Sequence, residues 1–404
     1  MVPSRFVWAA AAAGCPDNAA GGRSGQSPAH AAHACQVTAH TGCTALRGTR
    51  TVHGPCRSRN RRMMKRLAST ALTLLVAALG GGLFALAGLP AAWLMGAMAA
   101  VAGGALGGLT LRLPSPLGSA AFVLLGISMG AGVTPDTLHQ MASWPLSMAL
   151  LAGSVMACLY ACSAWLERVH RWDPATARYA AVPGALGAVL VLAAESRADL
   201  PRVALAQSLR LFVLVAAMPW LLDLVSSTPG LPPRPALSDP AGALPELALL
   251  VGASALAGLL FQTLRVPGGV LLGAMLGSAL LHGSGLVDHR LPGWLLNAGF
   301  VVTGALIGSR FAGVTLASLR AALRPSLESV ALALVLSSIF AWAGGWLLGL
   351  PFGQLWLAYA PGGVEAMTIV AFVLGLDTAF VGTHHVVRFA GLGFLARWWQ
   401  PRRG

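Results

Sequence analysis

The sequence predicts an all-α polytopic membrane protein built from two homologous halves, and three observations predict it. Hydrophobic residues make up 56% of the 404-residue chain and charged residues only 10%, against about 25% charged in an ordinary soluble domain. From Leu67 onward the chain is a series of apolar stretches, each of roughly 18–22 residues, a length that suits a hydrocarbon slab of about 30 Å at about 1.5 Å per helical residue. The stretches are continuously apolar, without the alternation a barrel needs, so helices are expected. The third observation is a phrase that occurs twice, as Leu89-Pro-Ala-Ala-Trp-Leu-Met-Gly-Ala-Met98 and Val266-Pro-Gly-Gly-Val-Leu-Leu-Gly-Ala-Met275.

The match continues at nearly constant offset. Phe122, Gly126 and Gly130 answer to Phe300, Gly304 and Gly308. Pro183-Gly184 answers to Pro361-Gly362, and Asp199, Gln207 and Arg210 answer to Asp377, His385 and Arg388. Glycines alone could coincide in so apolar a chain; an Asp and an Arg at the same spacing from a Pro-Gly do not. The expected organisation is a tail over 1–62, a membrane repeat over 63–225, a linker over 226–245 and a second membrane repeat over 246–404.

The tail differs from the rest in composition. It carries Cys15, Cys35, Cys43 and Cys56, four histidines and one acid, Asp17. Residues 1–66 hold ten basic residues against that acid, so about +9 of the formal +14 sits there and the high charge does not argue for nucleic-acid binding. Its Cys and His spacings fit no zinc pattern, and Ala9–Ala13 is too short for a signal peptide. The expectation is a disordered segment upstream of a true start at Met63 or Met64. Cys158 and Cys162 lie in an apolar span and read as packing residues.

Six apolar segments follow in each half, near 67–87, 91–111, 117–134, 145–166, 176–194 and 201–224, then 246–264, 267–286, 292–309, 325–349, 355–375 and 378–397. Lys65-Arg66 places the first N-terminus in the cytoplasm. In the first half the loop after segment four is basic (Arg168, Arg171, Arg178). In the second half it is the loop after segment three that is basic (Arg310, Arg320, Arg324). Corresponding loops thus face opposite sides, the mark of an inverted repeat with an odd number of crossings per half. Segment five supplies the odd count. Pro183-Gly184 and Pro361-Gly362-Gly363 interrupt it, so about five crossings plus one broken or re-entrant segment are expected per half.

The last segment of each half carries a polar stripe. Asp377, Val381, His385 and Arg388 fall within an arc of about 80°, and Asp199, Val203, Gln207 and Arg210 repeat it. Ionisable groups at membrane depth cost at least ~2.5–3.5 kcal/mol unless they face a partner or a wet cavity. The bland alternative is that Asp377 caps its helix and Arg388 snorkels. Glu365 lies just after Pro361-Gly362-Gly363, where its first-half counterpart is Gly187. A carboxylate there suits a proton or cation, and amides freed after each Pro-Gly suit an anionic group. His384-His385 is a weak metal signal, since adjacent helical residues diverge by about 100°. No catalytic residue, metal site or cofactor is expected.

The stretch Pro361-Gly-Gly-Val-Glu-Ala-Met367, followed by Asp377-Thr-Ala-Phe-Val-Gly-Thr-His-His-Val-Val-Arg388, resembles the AbrB family of duplicated bacterial inner-membrane proteins. The resemblance covers Leu67 to Trp399 and implies a multi-pass protein of the bacterial inner (plasma) membrane. Family members carry labels of two kinds, ammonia monooxygenase and regulator of gene expression. The first copy, Val182-Pro-Gly-Ala-Leu-Gly187, departs from the pattern in lacking the glutamate.

Three functions fit these features. Secondary transport of an unidentified small solute or ion is favoured by the duplication, the inverted charges, the paired breaks and the matching stripes. A membrane regulator or sensor acting indirectly on gene expression is the alternative; direct contact with nucleic acid is not expected. A membrane monooxygenase is remote, because oxygenase metals need several converging ligands. The expected partner is the lipid bilayer, and a homo-oligomer is allowed.

Overall fold

The computed structural model describes residues 56–132, 144–184, 186–194, 196–225 and 244–399. Among these residues the regular elements are all helices, without strands. The first half comprises α1 (Cys56–Leu86), α2 (Ala92–Leu106), α3 (Ser115–Gly130), α4 (Trp144–Arg168), α5 (Pro174–Ala181), α6 (Leu186–Ala194) and α7 (Leu200–Val225). The second repeats the series as α8 (Leu244–Thr263), α9 (Gly269–Gly283), α10 (Gly293–Gly308), α11 (Leu316–Leu348), α12 (Phe352–Tyr359), α13 (Val364–Val373) and α14 (Thr378–Trp399). Among the described residues six helices are long and apolar enough to cross a bilayer: α1, α4, α7, α8, α10 with its following turn, and α11.

Segment five is broken in both halves, as the Pro-Gly pairs predict. A proline nitrogen has no proton to donate, and its ring clashes with the preceding turn. Hence α5 stops at Ala181 and α12 at Tyr359, each just short of its Pro-Gly. Two boundaries differ from expectation. The tail's end, residues 56–62, is helical and continues into α1, whereas residues 1–55 lie outside the described part. The last helix-length segment of the basic loop is also helical: α11 begins at Leu316, with the Thr315 hydroxyl accepting from the Ser318 amide, and carries Pro325 inside it. A proline read as a helix start is instead tolerated about two and a half turns further in.

Close glycine contacts fix how the halves meet. A Cβ built on Gly126 of α3 would lie 2.4 Å from the Leu271 carbonyl oxygen of α9, and one on Gly130 would lie 2.2 Å from that of Met275. The equivalent residues do the same in reverse: Gly304 and Gly308 of α10 meet the Leu94 and Met98 carbonyls of α2, at 2.4 and 2.6 Å. Only glycine permits backbones to approach so closely, and the reciprocity is that of a two-fold axis.

Direction follows from the order of these contacts. Moving up α3 from Gly126 to Gly130 moves up α9 from Leu271 to Met275, so the two run parallel; α10 and α2 do likewise. Between α3 and α10 the order reverses, since Gly118 meets Leu306 while Gly299 meets Leu125. α2 and its counterpart α9 therefore run oppositely. The halves are inverted, and the axis relating them is perpendicular to the helices. The long pair α4 and α11 agrees: the Cys158 thiol faces the Ala333 carbonyl and the Cys162 thiol that of Ser329. At one end of this pair Glu328 accepts from the Trp165 indole at 3.1 Å, pairs with His170 at 2.7 Å and accepts from Arg324 at 2.8 Å. The basic regions of the two halves, after α4 and at the start of α11, thus share one side of the protein, as inverted charge placement requires.

Candidate functional site

The two broken helices meet at the repeat interface. Breaking a helix leaves its last carbonyls without amide partners, a costly state away from water. In each half an arginine from the closing helix satisfies them. Arg210 of α7 donates to the carbonyls of Ala180 at 3.1 Å, Ala181 at 3.3 Å and Val182 at 2.7 Å. Arg388 of α14 donates to Ala360 at 2.6 Å and to Gly362. One turn earlier on each closing helix, Gln207 donates to the Tyr179 carbonyl at 2.9 Å and His385 Nε2 donates to that of Leu357 at 3.1 Å. Two acceptors are duplicates of each other, Tyr179 with Leu357 and Val182 with Ala360; Ala180 and Ala181 accept only in the first half and Gly362 only in the second.

His385 is thereby held as one tautomer, its proton on Nε2 and its Nδ1 accepting from Arg388. His384 points elsewhere: its Nδ1 donates to the Phe380 carbonyl at 2.8 Å, and Nε2 accepts from the Ser147 hydroxyl at 2.9 Å. That hydroxyl also meets Tyr359 at 2.9 Å. The adjacent histidines belong to two separate networks.

The aspartates stand apart from the breaks. Asp377 accepts from the amides of Ala379 and Phe380 at 2.9 and 3.0 Å, which caps α14. Asp199 accepts from the Arg202 amide at 3.1 Å and lies 3.6 Å from its guanidinium, which caps α7. Of the stripe foreseen as one polar face, the aspartate end is a pair of N-caps. The correction has a plain cause: an Asp at the first residue of a helix faces free amides and is used by them before it can face a cavity.

A cavity of about 530 Å³ opens where the halves meet. Its wall includes both breaks, at Gly184 and at Pro361, Gly362 and Gly363, together with Gln207 and Arg210 from the first half and Glu365 from the second. Pro183, Asp199, Asp377, His385 and Arg388 are not in the wall. Gly184 is in the left-handed region at φ 80°, and a Cβ there would lie 3.3 Å from the Gly362 oxygen, so the breaks touch. Glu365 is half-buried on the first turn of α13 and makes no hydrogen bond or ion pair within 4 Å among the described residues.

Two polar wall residues were not recognisable as such in the sequence. Arg310 reads as a topogenic loop charge, yet α10 tightens after Gly308 into a 3-10 turn over Ser309–Phe311, and the arginine lines the cavity beside Glu365. Thr303 sits in an apolar helix where one hydroxyl looks neutral. It is 2% exposed, lines the cavity, and its Oγ1 has no hydrogen-bond partner among the described residues. The signal available for Arg310 was the short distance from Gly308, a glycine at a helix crossing.

A family model described as "Transition state regulatory protein AbrB" matches residues 21–132 and 93–400, the second match alone covering more than half of the chain. The chain belongs to the AbrB family. Two matches by one model also accord with the duplication. Among relatives, the protein named "Putative regulator AbrB" in Escherichia coli (strain K12) is 29% identical over 314 residues, covering 74% of this chain and 86% of that protein. The "Uncharacterized protein YhjN" of Bacillus subtilis (strain 168) is 28% identical over 289 residues, covering 66% of this chain and 73% of that protein. With its apolar helices, the chain is a membrane protein of the AbrB family.

Proposed function

We propose that this AbrB-family protein is a secondary transporter of the bacterial inner membrane, moving a small solute through the cavity at the repeat interface with Glu365 as its ionisable centre. The observation that carries the reading is the meeting of two interrupted helices, one from each inverted half, around a cavity whose wall holds the Glu365 carboxylate. Broken helices at the interface of inverted repeats let a binding site be reached from either side as one half rocks against the other. Arg210 and Arg388 hold the breaks, so the amide end of α13 and the Glu365 carboxylate are what remains for cargo. The test is energised flux in vesicles from cells making the chain, compared with Glu365→Ala. Wild-type flux lost in the variant at equal protein level supports transport; identical flux in both counts against Glu365, and none in either counts against a carrier.

The second reading, a membrane regulator, is favoured by the names that the family model and the Escherichia coli relative carry. In that case the cavity binds a signal, and gene expression changes downstream. A cytoplasmic protein crosslinked in living cells only when solute is present, with no flux in vesicles, would favour it.

A further inference from the structure

We infer that the cavity is a site for a small organic carboxylate, loaded together with a proton on Glu365. The inference rests on the transporter reading of the cavity and adds the cargo class and the coupling.

The anion subsite comes from α13 and its surroundings. Gly363 caps α13 without any side-chain hydrogen bond, and the first intrahelical bond there is from Met367 to Gly363. The amides of Val364, Glu365 and Ala366 therefore have no intrahelical carbonyl to bond, and all three residues line the cavity. A helix N-terminus favours negative charge through these amides and its dipole. The independent observation is Thr303, a hydroxyl that is almost wholly buried, unpartnered, and in the same wall. A buried hydroxyl left unbonded costs about 1–3 kcal/mol, so a ligand oxygen that accepts from it recovers that cost. Arg310 adds a full positive charge whose side chain makes no hydrogen bond among the described residues. Amides, a hydroxyl and a guanidinium in one wall are all donors, and a carboxylate is an acceptor through both oxygens.

The proton follows from where Glu365 sits. Its own carboxylate occupies the first turn of α13, the same positive pole that the ligand needs. Two carboxylates at that pole repel, and the one Arg310 guanidinium in the wall balances only one of them, so the second binds with a proton. The charged groups from every packed element are accounted for: Arg310 from the turn after α10 faces the cavity, Arg210 from α7 is spent on carbonyls, and Arg388 with His385 from α14 is bonded behind the second break. Among the described residues no group of three or more His, Cys, Asp or Glu is placed to hold a metal.

The test is binding to the purified full chain in detergent, read by intrinsic tryptophan fluorescence. The probes are sodium acetate, lactate, succinate and citrate, with sodium chloride and methylamine hydrochloride as controls. At least one carboxylate should bind saturably, and more tightly in acid, by up to about tenfold per pH unit for one linked proton. Thr303→Val and Arg310→Gln should each weaken it roughly tenfold or more, and Thr303→Ser should restore it. Glu365→Gln should bind with an affinity that is flat with pH. Saturable binding by none of the four carboxylates, or by methylamine instead, overturns the cargo class. A wild-type affinity that follows sodium rather than pH overturns the proton. Carboxylate binding without flux in vesicles would sink the transporter and leave this site standing. Flux without carboxylate binding would do the reverse.

Discussion

The two helix breaks share a carbonyl clamp and differ in charge. At the first, Arg210 and Gln207 take the carbonyls of Tyr179, Ala180, Ala181 and Val182. At the second, Arg388 and His385 take those of Leu357, Ala360 and Gly362. What both copies keep is thus the means of surviving a break in an apolar setting. What only the second has is Glu365, where the first has Gly187. The arginines, equal in both, serve the fold; the carboxylate, present once, gives the protein a single acidic centre rather than two symmetric ones.

The largest expected effect tests the clamp. Arg388→Ala leaves the Gly362 carbonyl and the His385 Nδ1 without a donor, at about 1–3 kcal/mol each, while the Ala360 carbonyl keeps only the Gly362 amide. Set against a typical total of about 5–15 kcal/mol, that loss leaves little folded protein. Arg210→Ala should be at least as damaging, since it strips three carbonyls. The measurement is thermal unfolding in detergent by fluorescence-detected size exclusion. If Arg210→Ala folds normally while Arg388→Ala does not, the breaks are not equivalent.

A smaller effect probes the two-fold axis. Gly126→Leu and Gly304→Leu each force a side chain into a carbonyl 2.4 Å from the Cβ position, with an overpacking cost of about 1–3 kcal/mol. Because the contacts are reciprocal, the two losses should match. Gly82→Leu, where nothing lies within 4 Å, should be nearly silent. Unequal losses at Gly126 and Gly304 would mean that the axis is only approximate at the interface it defines.

Much of this comparison was legible in the sequence because it rests on covalent geometry and repeated spacing. Pro183 and Pro361 announce breaks wherever they fall in an apolar run, and a Gln–Arg or His–Arg pair at the same distance from both marks what answers them. Inversion was legible through Arg168 and Arg320, since charge placement reports sidedness. Thr303 and Arg310 were not legible. A hydroxyl on an apolar helix gains meaning only when its neighbours fail to bond it, and Arg310 has the charge expected of any cytoplasmic loop until a 3-10 turn carries it into the cavity wall. The aspartates misled for the opposite reason: their spacing was regular, but local amides had the first claim on them.

The smallest effect concerns the hairpins that follow α1 and α8, where the copies place their strain crosswise. Each hairpin needs two residues in the left-handed region. In the first they are Gly88 at φ 68° and Ala91 at φ 50°; in the second they are Arg265 at φ 59° and Gly268 at φ 66°. The closing bonds are the same, with Leu89 donating to Phe84 and Val266 to Phe261, the pattern in which a left-handed residue ends a helix. Glycine occupies that region at no steric cost, whereas another residue is strained by about 1–2 kcal/mol, partly offset because glycine also loosens the unfolded chain. Ala91→Gly and Arg265→Gly should therefore each stabilise by about 1 kcal/mol, read as a rise in unfolding temperature. Gly268→Ala should cost more than that, because its Cβ would also lie 2.9 Å from Val364 Cγ1, on the first turn of the helix that carries Glu365. A change at Gly268 should then disturb flux as well as stability, while one at Ala91 should touch stability alone. Equal effects on flux at both positions would mean that the hairpin, and not the carboxylate helix behind it, sets the cavity.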